Sequence, residues 1–396
     1  MATERHRDGK ASTSRTSTSG TSDVGHAIGT FSFTPNADTA YLVLVTGLLD
    51  WATPSVNARG LIKLKANGTE VASTGVSMTY GSTVYVGGVM LYIIPADPSP
   101  SAIAFTVTVA REGTTPGTIG LQDVVIRAVE LLADDEWQIS SGVATTTSDY
   151  PTYITKQTLT FTPATTDDYY VLSYLEYKNN DPRASSLFRT TSDGANIGVH
   201  DMRGAHCDTY QARLNCAKVN LDASSHSIAS KYCRWGGFGT VSVQRSIIIA
   251  LRGDTFEWAD ALNYATSTTS TSYVESSTLS KTTAAVEHWS IWGGNLLNTY
   301  NYGIATSVQQ CQDGASELAA DFKFQTGSTT WGLSMGNSIA HQETFTPSAA
   351  SHNWSSKVKT ASASGTAYTS GDLFVFQMEA AASASSNSGL LLLGVG

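Results

Sequence analysis

Two textures of hydrophobic segment recur along this chain. In one, apolar and polar residues take turns, as in Thr158-Leu159-Thr160-Phe161 and Ala104-Phe105-Thr106-Val107-Thr108-Val109. In the other, short runs are apolar almost throughout: VYVGGVMLYII at 84–94, YYVLSYLEY at 169–177 and SIIIAL at 246–251. The period of two, and the enrichment in β-branched and aromatic residues, predict strands. Turn signals fall between them at Asn67-Gly68, Pro98-Ser99-Pro100, Asp193-Gly194 and Gly236-Gly237. Strands at this spacing without intervening helices predict an all-β chain of antiparallel sandwich or jelly-roll type. Only QDGASELAADF at 312–322 predicts a short helix.

The strand pattern repeats on a longer scale. TFSFTPNADTAYLVL starts at residue 30, and TLTFTPATTDDYYVL starts 128 positions later, at 158. A worn third copy, TLSKTTAAVEHWSIW, starts a further 120 positions on, at 278, with Thr283 in place of the proline. Laid on the second copy it sets Tyr169 over Trp289, Val171 over Ile291 and Leu172 over Trp292. The lead-ins at 153–159 and 273–279 also match, and VVIRAVELLADDEW and SIIIALRGDTFEW close at Trp137 and Trp258. GDLFVFQMEA at 371–380 is the third closing strand. Three tandem antiparallel β-sandwich or jelly-roll-like domains follow: 26–137, 138–258 and 259–380. A flexible Ser/Thr-rich arm, 1–25, precedes them, and a tail, 381–396, follows. The Thr-Pro pair has a folding role: proline lacks an N–H and fixes φ, so it ends one strand and starts the loop to the next.

Composition sharpens this picture. The chain has 396 residues, 41% of them hydrophobic but only 14% charged. That is poor in charge beside a typical soluble protein at about 25%, and it suits packed β-structure. A net charge of −9 without a clustered basic face argues against nucleic-acid binding. The arm is the local exception: Arg5, Arg7 and Lys10 make it either a solvated tail or a contact for an acidic partner surface. The amino-terminal residues lack an apolar signal core, and no run approaches a membrane span, so synthesis in the cytosol is expected. Leu390, Leu391, Leu392 and Leu393, tethered by an Ala/Ser linker, predict insertion into a neighbour or into the third unit. The four cysteines, Cys207, Cys216, Cys233 and Cys311, read as free buried thiols.

The candidate chemistry is thin. Gly332-Leu333-Ser334-Met335-Gly336, with His341 nearby, fits a hydrolase motif, but its flanks read as strands and lack the strand–turn–helix setting that motif needs. His200, His206, Cys207, Cys216 and Cys233 gather soft ligands at spacings that match no zinc pattern. Arg252-Gly253-Asp254 spells an adhesive tripeptide but suits a turn after SIIIAL. Asn67 and Asn353 open glycosylation acceptor patterns, which without an export signal mark only a turn and a loop. Asp134-Asp135-Glu136 and Asp167-Asp168 read as solvated loop charge rather than paired catalytic or calcium-binding carboxylates. No catalytic, cofactor or metal residue is assigned. Trp289 and Trp292 lie three apart on one strand and so face opposite sides; at least one is expected to be exposed, for a partner or a glycan.

The tandem units at 30–44 and 158–172, the low-complexity arm and the Ala/Ser tail with its leucines together resemble virion proteins of tailed bacteriophages: capsid decoration or cement proteins, head fibres and tail appendages. The resemblance implies a non-enzymatic structural protein of the virion surface, homotrimeric, partnered by a major capsid protein or another virion protein. An alternative is a tail-located adhesin for a host surface glycan, and a more remote one an envelope polysaccharide hydrolase.

Overall fold

The computed structural model describes residues 7–51, 58–78, 84–112, 117–181, 185–204, 207–253, 257–298, 305–314, 322–325, 336–362 and 366–378. Unit 1 comprises β1 (Arg7–Ser12), β2 (Thr16–Thr18), β3 (Val24–Phe33), β4 (Ala40–Trp51), β5 (Ala58–Ala66), β6 (Thr69–Met78), β7 (Val84–Ile94), β8 (Ile103–Glu112) and β9 (Ile119–Leu131). Unit 2 comprises β10 (Glu136–Ser140), β11 (Ala144–Thr146), β12 (Ile154–Phe161), β13 (Asp167–Asn179), β14 (Ser185–Ser192), β15 (Ala195–Gly204), β16 (Cys207–Leu221), β17 (His226–Trp235) and β18 (Val241–Arg252). Unit 3 comprises β19 (Glu257–Thr268), β20 (Val274–Thr282), β21 (His288–Asn298), β22 (Ala305–Gln312), β23 (Phe322–Gln325), β24 (Gly336–Phe345), β25 (Ser351–Thr360) and β26 (Ala367–Gln377).

Each unit is the same two-sheet jelly roll. In unit 1 one sheet runs β1-β9-β4-β7, with β2 also on β9, and the other runs β3-β8-β5-β6. Units 2 and 3 repeat both orders: β10-β18-β13-β16 (with β11 on β18) over β12-β17-β14-β15, and β19-β26-β21-β24 over β20-β25-β22-β23. The paired strands are antiparallel throughout, as the alternating segments require. No described residue is in an α-helix. Gln312, Asp313-Gly314 and Phe322 of the expected helix are strand and turn, and 315–321 lie outside the described residues.

The two textures of the sequence become two kinds of sheet. The alternating strands, such as β12, form outer sheets with one buried face. The continuous apolar runs form inner sheets buried on both faces, as in β13 and β26. One face of each inner sheet packs on its own outer sheet, around Phe31, Tyr41 and Phe105 in unit 1, Leu159, Val171 and Ile228 in unit 2, and Trp292, Trp354 and Val375 in unit 3. The other faces meet in one shared core: Leu42, Leu44, Leu91 and Val129 of unit 1; Tyr170, Leu172, Leu214 and Ile249 of unit 2; Trp289, Ile291, Phe374 and Phe376 of unit 3. Tyr170 sits edge-on to Phe374 and Phe376 of the third unit, with ring centroids 5.0 and 5.3 Å apart. Each such side chain stabilises the fold by about 1.5–3 kcal/mol when fully buried, so the shared core joins the units energetically.

The contacts between units are cyclic. β6 of unit 1 packs on β16 of unit 2, β15 of unit 2 on β24 of unit 3, and β23 of unit 3 on β7 of unit 1. A head-to-tail contact that closes after three steps is a ring with three-fold pseudosymmetry, here built from a single chain. Polar contacts fix its register. Gln342 in β24 donates through Nε2 to Leu44 O (2.8 Å) and Val125 O (3.1 Å) of unit 1, while its Oε1 accepts Trp289 Nε1 at 3.0 Å. Arg127 of unit 1, 3% exposed, pairs with Glu287 of unit 3 at 2.5 Å. Thr74 Oγ1 of unit 1 accepts the backbone N–H of Ala212 in unit 2 at 3.0 Å.

All three units point the same way. The strand ends at Phe33, Phe161 and Thr282, the tight turns at 67–68, 193–194 and 313–314, and the connections from β9 to β10 and from β18 to β19 lie at one pole. Arg7, paired with Val129, and Met378, bonded to Glu287 O, lie there too. We call this the terminal pole and its opposite the distal pole.

Three expectations are corrected. The arm 1–25 is, from Arg7 onward, the edge of unit 1's inner sheet: β1 and β2 pair with β9. Between them Arg15 makes a two-pronged ion pair with buried Asp50, Nε to Oδ2 at 2.7 Å and Nη2 to Oδ1 at 3.0 Å. Gly120 leaves the room, since a Cβ there would lie 1.9 Å from Asp50 Oδ1. An edge strand needs only backbone pairing and small side chains, so its composition mimics a linker. Next, Trp137 and Trp258 open units 2 and 3, in β10 and β19, rather than closing units 1 and 2. Finally, the third repeat is aligned one residue off. β13 and β21 hold equivalent places when Tyr170, opposite Leu251, is matched with Trp289, opposite Phe376. The loop before β21 is one residue shorter, and a one-residue slip exchanges the faces of a strand.

Candidate functional site

Most residues singled out from sequence belong to the framework. Trp289 and Trp292 do face opposite sides, but both are 0% exposed, one in the shared core and one in the sandwich core of unit 3. Neither is available to a partner or a glycan, because an inner sheet has no free face. Arg7 and Lys10 lie on β1, paired opposite Val129 and Ile126, rather than on a free arm. Arg5 and Leu390–Leu393 lie outside the described residues, as do His206, Asp254 and most of 332–336. Cys216 points into the shared core from β16, while Cys233 is buried on β17 of the outer sheet. The two thiols thus lie on different sheets of unit 2. Burial raises the Cys216 thiol well above its ordinary pKa.

The acidic runs and the Arg252 tripeptide knit the seam between units 1 and 2. Arg252 reaches Asp134 Oδ2 (2.8 Å), Asp167 Oδ2 (3.0 Å) and Thr165 Oγ1 (2.9 Å). Asp135 is buried and accepts the N–H groups of Leu132 (2.8 Å) and Arg252 (2.9 Å). Asp168 pairs with Lys218 at 3.1 Å. The expected solvated loop charge is therefore partly structural.

Two surface features stand out from this framework. At the terminal pole, Asn67-Gly68, Asp193-Gly194 and Asp313-Gly314 form matching turns with positive φ at both residues, the geometry of a two-residue hairpin. Each turn's side-chain oxygen accepts a backbone N–H from the start of the adjacent strand, at Ala104, Ser227 and Asn353, all at 2.8 Å. Units 2 and 3 add a histidine: His226 Nδ1 lies 2.7 Å from Asp193 Oδ2, and His352 Nδ1 lies 2.5 Å from Asp313 Oδ2. The bond to Asp193 raises the pKa of His226, the bond to Asp313 raises that of His352, and both aspartates are lowered.

At the distal pole, unit 2 carries an aromatic cluster. Residues 148–150 add to the end of β17 as a short parallel bridge: Arg234 N donates to Ser148 O (2.8 Å) and Tyr150 N to Arg234 O (2.9 Å). This sets Tyr150 beside Trp235, ring centroids 5.0 Å apart and tilted 56°, with Tyr153 edge-on at 6.4 Å. Beneath them Arg234 forks onto Asp149, Nε to Oδ1 and Nη2 to Oδ2, both at 2.8 Å, and Nη1 reaches Gly239 O at 2.7 Å. Gly237 N also donates to Asp149 Oδ1 at 3.2 Å. The Arg234 guanidinium holds the Asp149 carboxyl below its ordinary pKa. Tyr150, Trp235 and Phe238 are 42%, 37% and 45% exposed. Gly239 closes the loop at φ +69°, where a Cβ would meet Asp181 at 2.5 Å. Sequence reasoning passed over these residues. The available signal was a tryptophan next to Gly236-Gly237, at the edge of a turn rather than within a strand.

No family model matches the chain, and no curated protein matches it. Among solved structures it is similar to the insecticidal delta-endotoxin Cry8Ea1 from Bacillus thuringiensis, at 10% identity and TM-score 0.21 over 56% of this chain; it spans about half of that one, 53%. It is also similar to the T=1 particles derived from infectious bursal virus, at 8% identity and TM-score 0.23 over 96% of this chain and 79% of that one. A third similar structure is the triple jelly roll and turret assembly of an archaeal virus, at 8% identity and TM-score 0.21 over 93% and 91%. Similarities this low carry no argument about what the chain does; the all-β architecture rests on its own strand pairing.

Proposed function

We propose that the chain is a non-enzymatic structural protein of a virion surface, of the kind seen in tailed phages, docked by its terminal pole with its distal pole outward. The observation that carries this reading is the polarity of the molecule. The three matching turns at 67–68, 193–194 and 313–314 lie at one pole, and the exposed large apolar side chains of the described residues, apart from Ile139, gather toward the other. Between the poles stands a layered β-body in which buried polar groups such as Gln342 and Asp135 are hydrogen-bonded within the framework. The ring of three units closes within one chain, and we take that single chain as the docking unit, so sedimentation should give the mass of one chain. A mass three times larger would restore the homotrimer.

The test is imaging of purified particles made with and without the gene for this protein. Loss of a knob of surface density from the deletion particles, restored by complementation, is expected. Identical particles, with the protein missing from purified virions by mass spectrometry, would refute the reading.

A further inference from the structure

We propose that the aromatic tip of unit 2 is a binding site for a neutral saccharide, formed by Tyr150, Trp235 and Phe238 around the Asp149–Arg234 pair. This inference goes beyond the docking role and stands apart from it, because it concerns the isolated protein and the opposite pole.

The three repeats supply the argument. Backbone bonds define equivalent positions: Arg111 N donates to Gly20 O, Arg234 N to Ser148 O and Thr360 N to Ser270 O. The residues after these acceptors are Thr21-Ser22, Asp149-Tyr150 and Thr271-Ser272. The residues after these donors are Glu112, Trp235 and Ala361. All three units close the same corner of the same fold; unit 3 keeps one ring there, Tyr273 under Lys359, as unit 2 keeps Tyr153 under Arg189, but neither sister has a ring in place of Tyr150 or Trp235. The rings at the tip of unit 2 are therefore not a requirement of the jelly roll. Exposed aromatic surface that folding does not need calls for a ligand.

The chemistry of the tip selects the class of ligand. Tyr150 and Trp235 are tilted 56° to one another, so they form an open angle rather than a flat floor. A pyranose offers an apolar C–H face to one ring and an edge to the other, and hydroxyl groups around its rim. Asp149 stands beside the rings, its side chain 47% exposed, and a carboxylate retains lone pairs for hydroxyl donors beyond those it uses internally. Its charge is already balanced by the two-pronged bond to Arg234, and the neighbouring Arg189 guanidinium is stacked over the Tyr153 ring at 4.2 Å. Aromatic faces interleaved with a neutralised, hydrogen-bonding ion pair suit an uncharged polyol.

Saturation-transfer NMR and calorimetry with the purified full chain test this, using cellohexaose, maltohexaose and chitohexaose as probes. At least one probe should receive saturation. Trp235→Ala and Tyr150→Ala should each weaken its binding at least tenfold, equivalent to about 1.4 kcal/mol, with an unchanged thermal midpoint. Trp235→Glu, which copies unit 1, should abolish binding, and Tyr368→Ala in unit 3 should leave it intact. No transfer to any probe, or transfer unaffected by Trp235→Ala, overturns the proposal. Tighter binding of a sulfated or uronic-acid hexasaccharide than of every neutral probe overturns it as well.

Discussion

Gln342→Leu should weaken the whole molecule, not only unit 3. The glutamine is 0% exposed and makes three hydrogen bonds, two to carbonyls of unit 1 and one from the indole of Trp289. A buried hydrogen bond is worth about 1 kcal/mol net, and more when removal strands its partner. Three such bonds set a loss of about 3–5 kcal/mol. A leucine of similar volume avoids a large cavity and recovers about 1 kcal/mol of transfer energy, leaving a net loss of about 2–4 kcal/mol. Urea denaturation followed by tryptophan fluorescence and circular dichroism should show one coincident transition in both proteins, shifted to lower urea in the variant. The single transition follows from the shared core, which no unit can leave without exposing the other two. A shift below about 0.5 kcal/mol, or separate melting of unit 3 with units 1 and 2 unmoved, would refute both the bonds and the cooperativity drawn from them.

The other predictions probe the seam, the interface and the terminal pole. Arg252→Ala should destabilise by about 1–3 kcal/mol in thermal melts, because it unties Asp134, Asp167 and Thr165; a neutral result would make the tripeptide a free surface loop. Gly293→Ala should destabilise by a similar amount, about 1–3 kcal/mol, since the added methyl would lie 2.8 Å from Cys216 Sγ and 3.1 Å from Leu214 O across the interface between units 2 and 3. Cys216 in the native protein should resist thiol reagents until denaturant is added, and rapid labelling without it would contradict the closed core. The Asp193–His226 and Asp313–His352 pairs should stabilise most between about pH 4 and 6.5. The lowered aspartates lose their contribution as pH falls through their native values, and the raised histidines lose theirs as pH rises through native values above 6.5. NMR titration of the two imidazoles checks this, and native midpoints at or below 6.5 would sink it.

The repeats, the strand character and the place of the Thr-Pro break were legible because they rest on local periodicity and turn chemistry. The fate of Trp289 and Trp292 was legible in principle as well. The inner strands carry near-continuous apolar runs, such as Tyr169–Leu175, interrupted only by Ser173, and Ile247–Leu251, while β12 alternates, and that contrast marks one sheet per unit as buried on both faces. Reading every strand as half-buried left one tryptophan wrongly in water. The first strands were hidden for another reason: edge pairing through backbone groups asks little of side chains, so RDGKAS and TST carry no apolar signature. The slip in the third repeat was hidden because Trp matched Tyr by type, while the strand pairing and the shorter loop decided the face. The distal cluster depends on a bridge between residues 148–150 and 234 that no local pattern announces.

Joining three units in one chain removes a constraint that three identical chains would impose. In a homotrimer each residue near the axis appears three times, so a polar group there must find three sets of partners. Here the position opposite the second core residue of β4, β13 and β21 is Leu91, Cys216 or Gln342, an aliphatic, a thiol and an amide. The amide occurs once, where Trp289 and two unit 1 carbonyls satisfy it. Units 1 and 2, and units 2 and 3, are held close by the short connections after Leu131 and Arg252. The contact of unit 3 with unit 1 closes the ring without a direct link between neighbouring strands, and it is where Gln342 and the Arg127–Glu287 pair sit. Apolar packing alone fixes register weakly, because hydrophobic surfaces tolerate sliding, whereas a directional bond to a named carbonyl does not. The amide and the ion pair thus lie where covalent linkage cannot set the register, while Thr74 with Ala212 N and Arg245 with Val71 O (2.7 Å) add polar contacts between the linked units 1 and 2. The same freedom lets one unit carry Tyr150 and Trp235 while its sisters keep Ser22 and Glu112, or Ser272 and Ala361.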